Sequence, residues 1–256
     1  MKIVARVIID PGHGGRDPGS FFGNYREKNW TLDISLYMAN RLDELGFEVS
    51  MTRDADVGLT ATDRTDAIRA SGATICISNH INAGGGLGAE TIHSIKSDGR
   101  LARMILDELV KAGQHRRRVF SRESAAYPGK DYYYMHRLTG NVQTVIVEYG
   151  FIDNPKDRDK LAVADYRIQL AEGTVKALCE YTKTPYLPKD WQKINTDPVK
   201  AFIVGIDGER IAFPEDKAIL VDGRWYFEAR EITERADGKV IWHPDKRESV
   251  FDFSRG

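Results

Sequence analysis

An alternation of two patterns constrains this chain most. Short apolar runs at 6–10, 47–51, 74–78 and 142–147 are separated by segments whose apolar residues recur at helical spacing. Runs of that length suit strands, and the longer segments between them are the crossover connections that parallel strands require. Over 27–45, Trp30, Ile34, Met38, Leu42 and Leu45 share one helical face, and Gly46 ends it. A second helix is expected over 62–70. A third is marked by Leu101, Met104, Ile105 and Leu109, with Ser97 or Asp98 as its cap, and a last one spans 167–182 with Leu170, Val175 and Leu178 toward the core. A further strand is expected over 89–95. Strands alternating with helices predict an α/β class: a mostly parallel twisted sheet flanked by helices.

Beyond the last helix the pattern changes. Residues 184–198 contain Pro185, Pro188 and Pro198, the composition of a linker. The chain then becomes β-rich, with Asp207-Gly208 and Asp222-Gly223 each set between apolar runs as hairpin signals. The expected organisation is an α/β domain over 1–183, a linker over 184–198 and a small β-rich C-terminal domain over 199–256. About 60 residues make a marginal core, so this module is expected to lean on the first domain or to mediate a homodimer.

Charge and composition exclude some classes of partner. The formal net charge is -1, so no global field draws the protein onto nucleic acid or membrane. No apolar run approaches the roughly 20 residues of a transmembrane segment, and the apolar stretch within 1–10 is too short for a signal peptide. Cys76 and Cys179 lie inside apolar patterns without metal-ligand spacing and read as buried thiols.

The polar residues that carry chemistry gather where apolar runs stop, which is where sites form in open α/β sheets. Asp10-Pro11-Gly12-His13-Gly14-Gly15 follows the first run, Ser78-Asn79-His80-Ile81-Asn82 follows the third, and Val147-Glu148-Tyr149-Gly150-Phe151 closes the fourth. Arg26-Glu27-Lys28-Asn29 opens the first long helix. Two histidines and a carboxylate are a common hydrolytic zinc set that leaves a fourth position for water. His13, Glu27 and His80 fit that set, and the absence of thiolates argues against a purely structural site. A further carboxylate, Glu148, is suited to move a proton near neutral pH. Taken singly, each of these residues is more often structural, and their separations differ from the compact His-Glu-x-x-His helix motif.

Together the segments resemble the zinc amidases of the amidase-3 type, from about Arg6 to Thr182. The resemblance runs through Asp-Pro-Gly-His-Gly-Gly at 10–15, Glu27 before a long helix, Arg53 and Asp54, and Arg64. It continues with Ser-x-His-x-Asn at 78–82, Gly-Ala-Glu at 88–90 and Val-Glu-Tyr-Gly-Phe-Ile-Asp-Asn at 147–154. It implies that His13, Glu27 and His80 bind Zn2+ and that Glu148 is the catalytic glutamate. The implied reaction is hydrolysis of the amide between the lactyl group of N-acetylmuramic acid and L-alanine in bacterial peptidoglycan. Asn79 stands where the family usually has an apolar residue.

Other features keep two readings each. Arg64 and Glu90 either orient ligands or substrate, or form an ion pair or core cap. His115-Arg116-Arg117-Arg118 is a basic loop that either faces solvent or grips a carboxylate of the stem peptide. Tyr132-Tyr133-Tyr134 lines a groove or packs on the sheet, while His93, His136 and His243 lie outside the family's ligand positions. The stretch 218–253 resembles the copper amine oxidase N-terminal-like domain, which implies an accessory wall-binding module without copper chemistry. Trp225, Tyr226 and Trp242 in it are either a sugar platform or core aromatics. The expected role is a peptidoglycan hydrolase, a phage endolysin or a mother-cell lytic amidase, held in the host or mother-cell cytoplasm until release. A non-catalytic muropeptide-binding protein and a stem-peptide peptidase are the alternatives.

Overall fold

The structure is a computed structural model that describes residues 5–188 in full, together with the backbone of six short strands between 201 and 252. Its first unit contains β1 (Arg6–Pro11), β2 (Phe21–Phe22), β3 (Tyr25–Arg26), α1 (Glu27–Glu44), β4 (Glu48–Met51), α2 (Ala61–Ala70) and β5 (Ile75–Asn82). It continues with β6 (Ala89–His93), α3 (Arg100–Lys111), β7 (Arg116–Phe120), α4 (Tyr134–Arg137), β8 (Gln143–Phe151), α5 (Pro155–Leu161) and α6 (Ala164–Thr182). Six of these strands form one sheet in the order β4-β1-β5-β8-β6-β7. β4, β1, β5 and β8 are mutually parallel. β6 runs antiparallel to β8 and parallel to β7. The mostly parallel α/β sheet read from the sequence is therefore the observed fold, with one reversal between β8 and β6.

Strand alternation divides the core between the two faces of this sheet. Val7, Ile9, Ile75, Ile77, Val145 and Val147 join the larger cluster with Trp30, Ile34, Met38 and Leu42 of α1, Leu101 and Ile105 of α3, and Leu170, Val175 and Leu178 of α6. Ile8, Cys76, Ile92 and Ile146 point the other way, to Ile68 of α2, Met135 of α4 and the partly buried Tyr133 and Tyr134. Each fully buried Ile, Leu or Met contributes roughly 1.5–3 kcal/mol, so the three-helix layer carries most of the apolar stabilisation. Cys76 and Cys179 are buried free thiols, as read from their apolar surroundings.

Element ends differ from the sequence reading for local reasons. β5 and β8 continue past the apolar runs to Asn82 and Phe151, which puts His80 and Glu148 inside the strands rather than after them. The Thr60 side chain and Asp63 form a reciprocal capping box that starts α2 at Ala61. The N-cap of α3 is Gly99 rather than Ser97 or Asp98; Ser97 Oγ accepts from Gly99 N–H, and Asp98 Oδ1 accepts from the N–H of Arg100, the first helical residue. The basic stretch expected as a loop forms the edge strand β7. Among the described residues no helix is long and apolar enough to cross a membrane.

The chain divides into two compact units, Met1–Tyr186 and Leu187–Gly256. In the second unit β9 (Ala201–Val204) pairs antiparallel with β10 (Arg210–Phe213), and β11 (Ala218–Val221) with β12 (Arg224–Phe227). These pairs flank Asp207-Gly208 and Asp222-Gly223. β13 (Lys239–His243) pairs antiparallel with β14 (Glu248–Asp252), which lies parallel to β9. The side chains of Trp225, Tyr226, Trp242 and His243, and residues 189–198 of the expected linker, lie outside the described residues.

Candidate metal centre and active site

The site begins where β1 runs out. After Pro11 the chain turns through His13 at φ 61° and Gly14 at φ 132°, and the left-handed conformation of His13 is one a non-glycine residue seldom adopts. Two arginines hold this turn in place. Arg64 Nη1 donates to Asp10 Oδ1 at 2.5 Å and to the Pro11 carbonyl at 2.7 Å, and Nη2 donates to the His13 carbonyl at 3.1 Å. Arg53 donates to the carbonyls of Pro11 at 3.1 Å and Gly12 at 2.9 Å. Carbonyls that point inward away from any ladder need such partners. Asp10 is fully buried and also accepts from Thr52 and Ser78. Arg64 thus pairs with Asp10 and fixes the backbone of His13; it does not reach the ligand atoms.

Glycines let the rings approach. A Cβ on Gly12 would lie 2.4 Å from the His80 ring, and one on Gly19 would lie 2.6 Å from Glu27 Oε2 and 2.7 Å from the His13 ring. Glu27 enters from the first residue of α1. Its Oε2 accepts from Ser20 N–H at 2.7 Å and its Oε1 from Ile81 N–H at 2.9 Å. Oε1 also stands 3.2 Å from His13 Nε2 and 3.0 Å from His80 Nδ1. One ligand atom from each of His13, Glu27 and His80 lies within 4.8 Å of the others. The far nitrogen of His13, Nδ1, faces Asp17 Oδ2 at 2.7 Å, an arrangement that selects the tautomer and orients a ligating imidazole.

The electrostatics fit a divalent cation. Burial opposes charging of His13, but hydrogen bonds and charges from Glu27 and Asp17 outweigh it and bring its pKa up to about 9. Burial likewise opposes charging of His80, and Glu27 raises it nonetheless. Burial opposes ionisation of Glu27, yet the two imidazoles hold it far below the ordinary carboxylate range. Protons on two histidines gather around one enclosed carboxylate, so this spot favours positive charge. Imidazole and carboxylate together suit borderline metals such as zinc.

Glu148 lies directly across the β5–β8 ladder from His80. Its Oε2 is enclosed without a hydrogen-bond partner. Burial, reinforced by the charges of Glu27 and Glu90, pushes its pKa up to about 7 against the pull of His80. Glu90 sits one strand further, in register with Glu148. It accepts from Asn82, Arg117 and Arg118 and lies outside the ligand group.

The remaining sequence candidates fall away from the ligand group. Arg116 pairs with Asp107 on the surface. Tyr132 is exposed, while Tyr133 and Tyr134 pack against the sheet. His136 is buried, which pushes its pKa down to about 4, and His93 Nδ1 rests against the Ser94 carbonyl at 2.9 Å. Asn79, the departure from the family pattern, accepts from the Tyr149 hydroxyl at 2.9 Å and donates to Ser35 Oγ at 2.7 Å, so a buried polar chain backs the strand that carries His80. Sequence reasoning missed Asp17; its only signal was a carboxylate four residues after His13 in a glycine-rich turn.

Comparison with known proteins identifies the family of the α/β unit. Residues 7–180 match the family Amidase_3, N-acetylmuramoyl-L-alanine amidase. The chain is 30% identical over 178 residues to the sporulation-specific N-acetylmuramoyl-L-alanine amidase of Bacillus subtilis, covering 68% of this chain and 67% of that protein. It is 28% identical over 181 residues to an endolysin of Bacillus phage SPP1, covering 68% of this chain and 65% of the endolysin. Among solved structures, an N-acetylmuramoyl-L-alanine amidase from Clostridium difficile 630 superposes with a TM-score of 0.63 at 28% identity, covering 72% of this chain and 99% of that one. With the family matched across 7–180, nearly all of the α/β unit, the chain belongs to the amidase-3 family of N-acetylmuramoyl-L-alanine amidases.

Proposed function

We propose that this chain is a zinc-dependent peptidoglycan amidase in which His13, Glu27 and His80 hold the metal and Glu148 moves the proton. The observation that carries this reading is the convergence of three ligand atoms within 4.8 Å beside a carboxylate enclosed without a partner on the neighbouring strand. Zinc held there supplies the positive charge that polarises the amide carbonyl and stabilises negative charge developing on its oxygen. Glu148, with a pKa of about 7, is matched to accept a proton from the attacking water. As the carbon–nitrogen bond breaks, the same group returns that proton to the leaving nitrogen of L-alanine. Water's oxygen stays on the lactyl carbon as a carboxylate, and the stem peptide leaves with a free amine. Asp17 holds His13 by its far nitrogen, and Arg64 with Arg53 keeps the turn at 12–15 from relaxing.

The setting we infer is lytic, as an endolysin or a mother-cell amidase, since the chain is similar both to a phage endolysin and to a sporulation-specific amidase. We read 1–183 as the catalytic domain, 184–198 as a linker and 199–256 as a small accessory module for wall binding or dimerisation. Mass spectrometry of purified peptidoglycan digested with and without a chelator tests the central reading. Stem peptides beginning at L-alanine, lost on chelation and restored by zinc, are expected. Cuts inside the stem peptide, or intact wall in both conditions, would overturn it.

A further inference from the structure

Beyond the reacting centre, the outer strands carry a charge arrangement that the hydrolytic step does not use. Glu90 is buried at 2% exposure, and three donors converge on it: Asn82 Nδ2 at 3.1 Å, Arg117 Nε at 2.5 Å and Arg118 Nε at 2.8 Å. Consecutive strand residues ordinarily point to opposite faces. Here the register of β6 on β7 slips, so that Ala89 pairs with Arg116 and Glu90 with Arg118, and Arg117 is the extra residue. Such a bulge re-aims a side chain, and it turns both guanidiniums to one carboxylate. Phe151 and Phe120 sit under them, with Arg117 5.0 Å and Arg118 4.1 Å from the ring centres.

Each arginine spends only its Nε on Glu90. The terminal nitrogens of both make no hydrogen bond among the described residues, and the side chains are 39% and 54% exposed. Two positive groups on one negative group leave a net positive charge facing outward. Charged residues on an edge strand can serve simply to block edge-to-edge pairing. That role needs no buried carboxylate, whose removal from water is costly, and no bulge to gather two guanidiniums on it. Anchored by Nε with terminal nitrogens free, an arginine offers the planar fork that matches a carboxylate.

We propose that Arg117 and Arg118, anchored by Glu90, recognise a free carboxylate on the second residue of the stem peptide and so set substrate preference. The inference rests on the amidase reading above. Distance selects the residue. Glu90 is one strand from Glu148, about 5 Å, and β7 lies about 10 Å away. An extended peptide advances about 3.3–3.6 Å per residue, so a chain leaving the scissile nitrogen of L-alanine reaches the fork with the side of its next residue. A carboxylate there completes the charge balance of the cluster, and a carboxamide does not.

The test uses two synthetic muramyl peptides that differ only at that group, one bearing the free carboxylate and one the carboxamide. The zinc-loaded 256-residue chain is expected to cleave the free acid with kcat/KM about ten- to a hundred-fold higher, mostly through KM, the range for a charge-assisted contact. In Arg117→Gln/Arg118→Gln that ratio is expected to fall to about one. Arg118→Lys, which keeps the charge and loses the fork, should retain only part of it. Equal cleavage of both peptides by the wild-type protein, a comparison that requires no variant, would overturn the fork and leave the amidase reading intact. So would a preference that survives the double substitution. Cleavage of neither peptide would overturn the amidase reading and this inference with it.

Discussion

The centre of the sheet and its outer edge solve the same problem, placing charge at a strand end, in different ways. At the centre, β1, β5 and β8 bring His13, His80 and Glu148 together, and Asp10, Arg53 and Arg64, which fix the turn after β1, are enclosed. Asp10 has three side-chain donors, and Arg64 is almost wholly buried. At the edge, β6 and β7 hold Glu90 inside, while the arginines that neutralise it remain largely in solvent. In low dielectric a lost partner leaves a stranded charge, whereas water screens the same loss at the surface. The centre is therefore rigid and intolerant, and the edge can be tuned.

Four substitutions and one pH profile would break or sharpen that contrast. The largest effect is expected for Glu148→Gln, which should lower kcat by about 10²–10⁴-fold while zinc content by metal analysis stays near one per chain. Near-normal turnover would remove Glu148 from the proton-transfer role. In the wild-type protein, kcat/KM should rise as pH increases through the Glu148 ionisation, because the base must be unprotonated. Burial pushes that ionisation up to about 7, and a bound zinc would draw it lower. An acid limb at or below about 7 that vanishes from the residual activity of the Gln variant is the expected result.

Next comes Arg64→Met, which strands the fully buried Asp10 charge. Breaking a buried pair in this way costs about 3–5 kcal/mol, measurable by urea unfolding, and a loss below about 1 kcal/mol would mean the centre is less constrained than argued. Asp17→Asn should leave the fold unchanged and weaken zinc binding about 10- to 100-fold in a chelator competition, the usual cost of losing a ligand's outer partner. The smallest effect is expected at the edge: Arg116→Ala removes a surface pair with Asp107 and should shift stability by no more than about 0.5 kcal/mol.

The two regions were also unequally legible. His13, Glu27, His80 and Glu148 could be named from the sequence because the residues flanking each carry their own signals: apolar runs that end abruptly, glycine turns and a helix start. The edge strand β7 could not, because Arg116-Arg117-Arg118 lacks the apolar alternation by which a half-buried strand is recognised. Its register depends on a bulge against β6 and on a buried glutamate 27 residues earlier than Arg117. For the same reason the sequence alone left the stretch between a solvated loop and a grip on a carboxylate. Asn79 departs from the apolar residue usual in the family, and its partners, Tyr149 and Ser35, are remote in sequence.

By itself the sequence determined the α/β class and the four candidate residues His13, Glu27, His80 and Glu148, because hydrophobic periodicity, local turn chemistry and the motifs around each candidate are written within a few residues of each other. Only the tertiary structure decided that His13 Nε2 and His80 Nδ1 converge on one oxygen of Glu27, that Asp17 takes the other nitrogen of His13, and that Arg117 and Arg118 share Glu90. The pairings on Glu27 and Glu90 depend on which atoms of distant residues come within hydrogen-bond range, which sheet order and register set, and the Asp17 contact depends on the left-handed turn at His13; no local pattern encodes either.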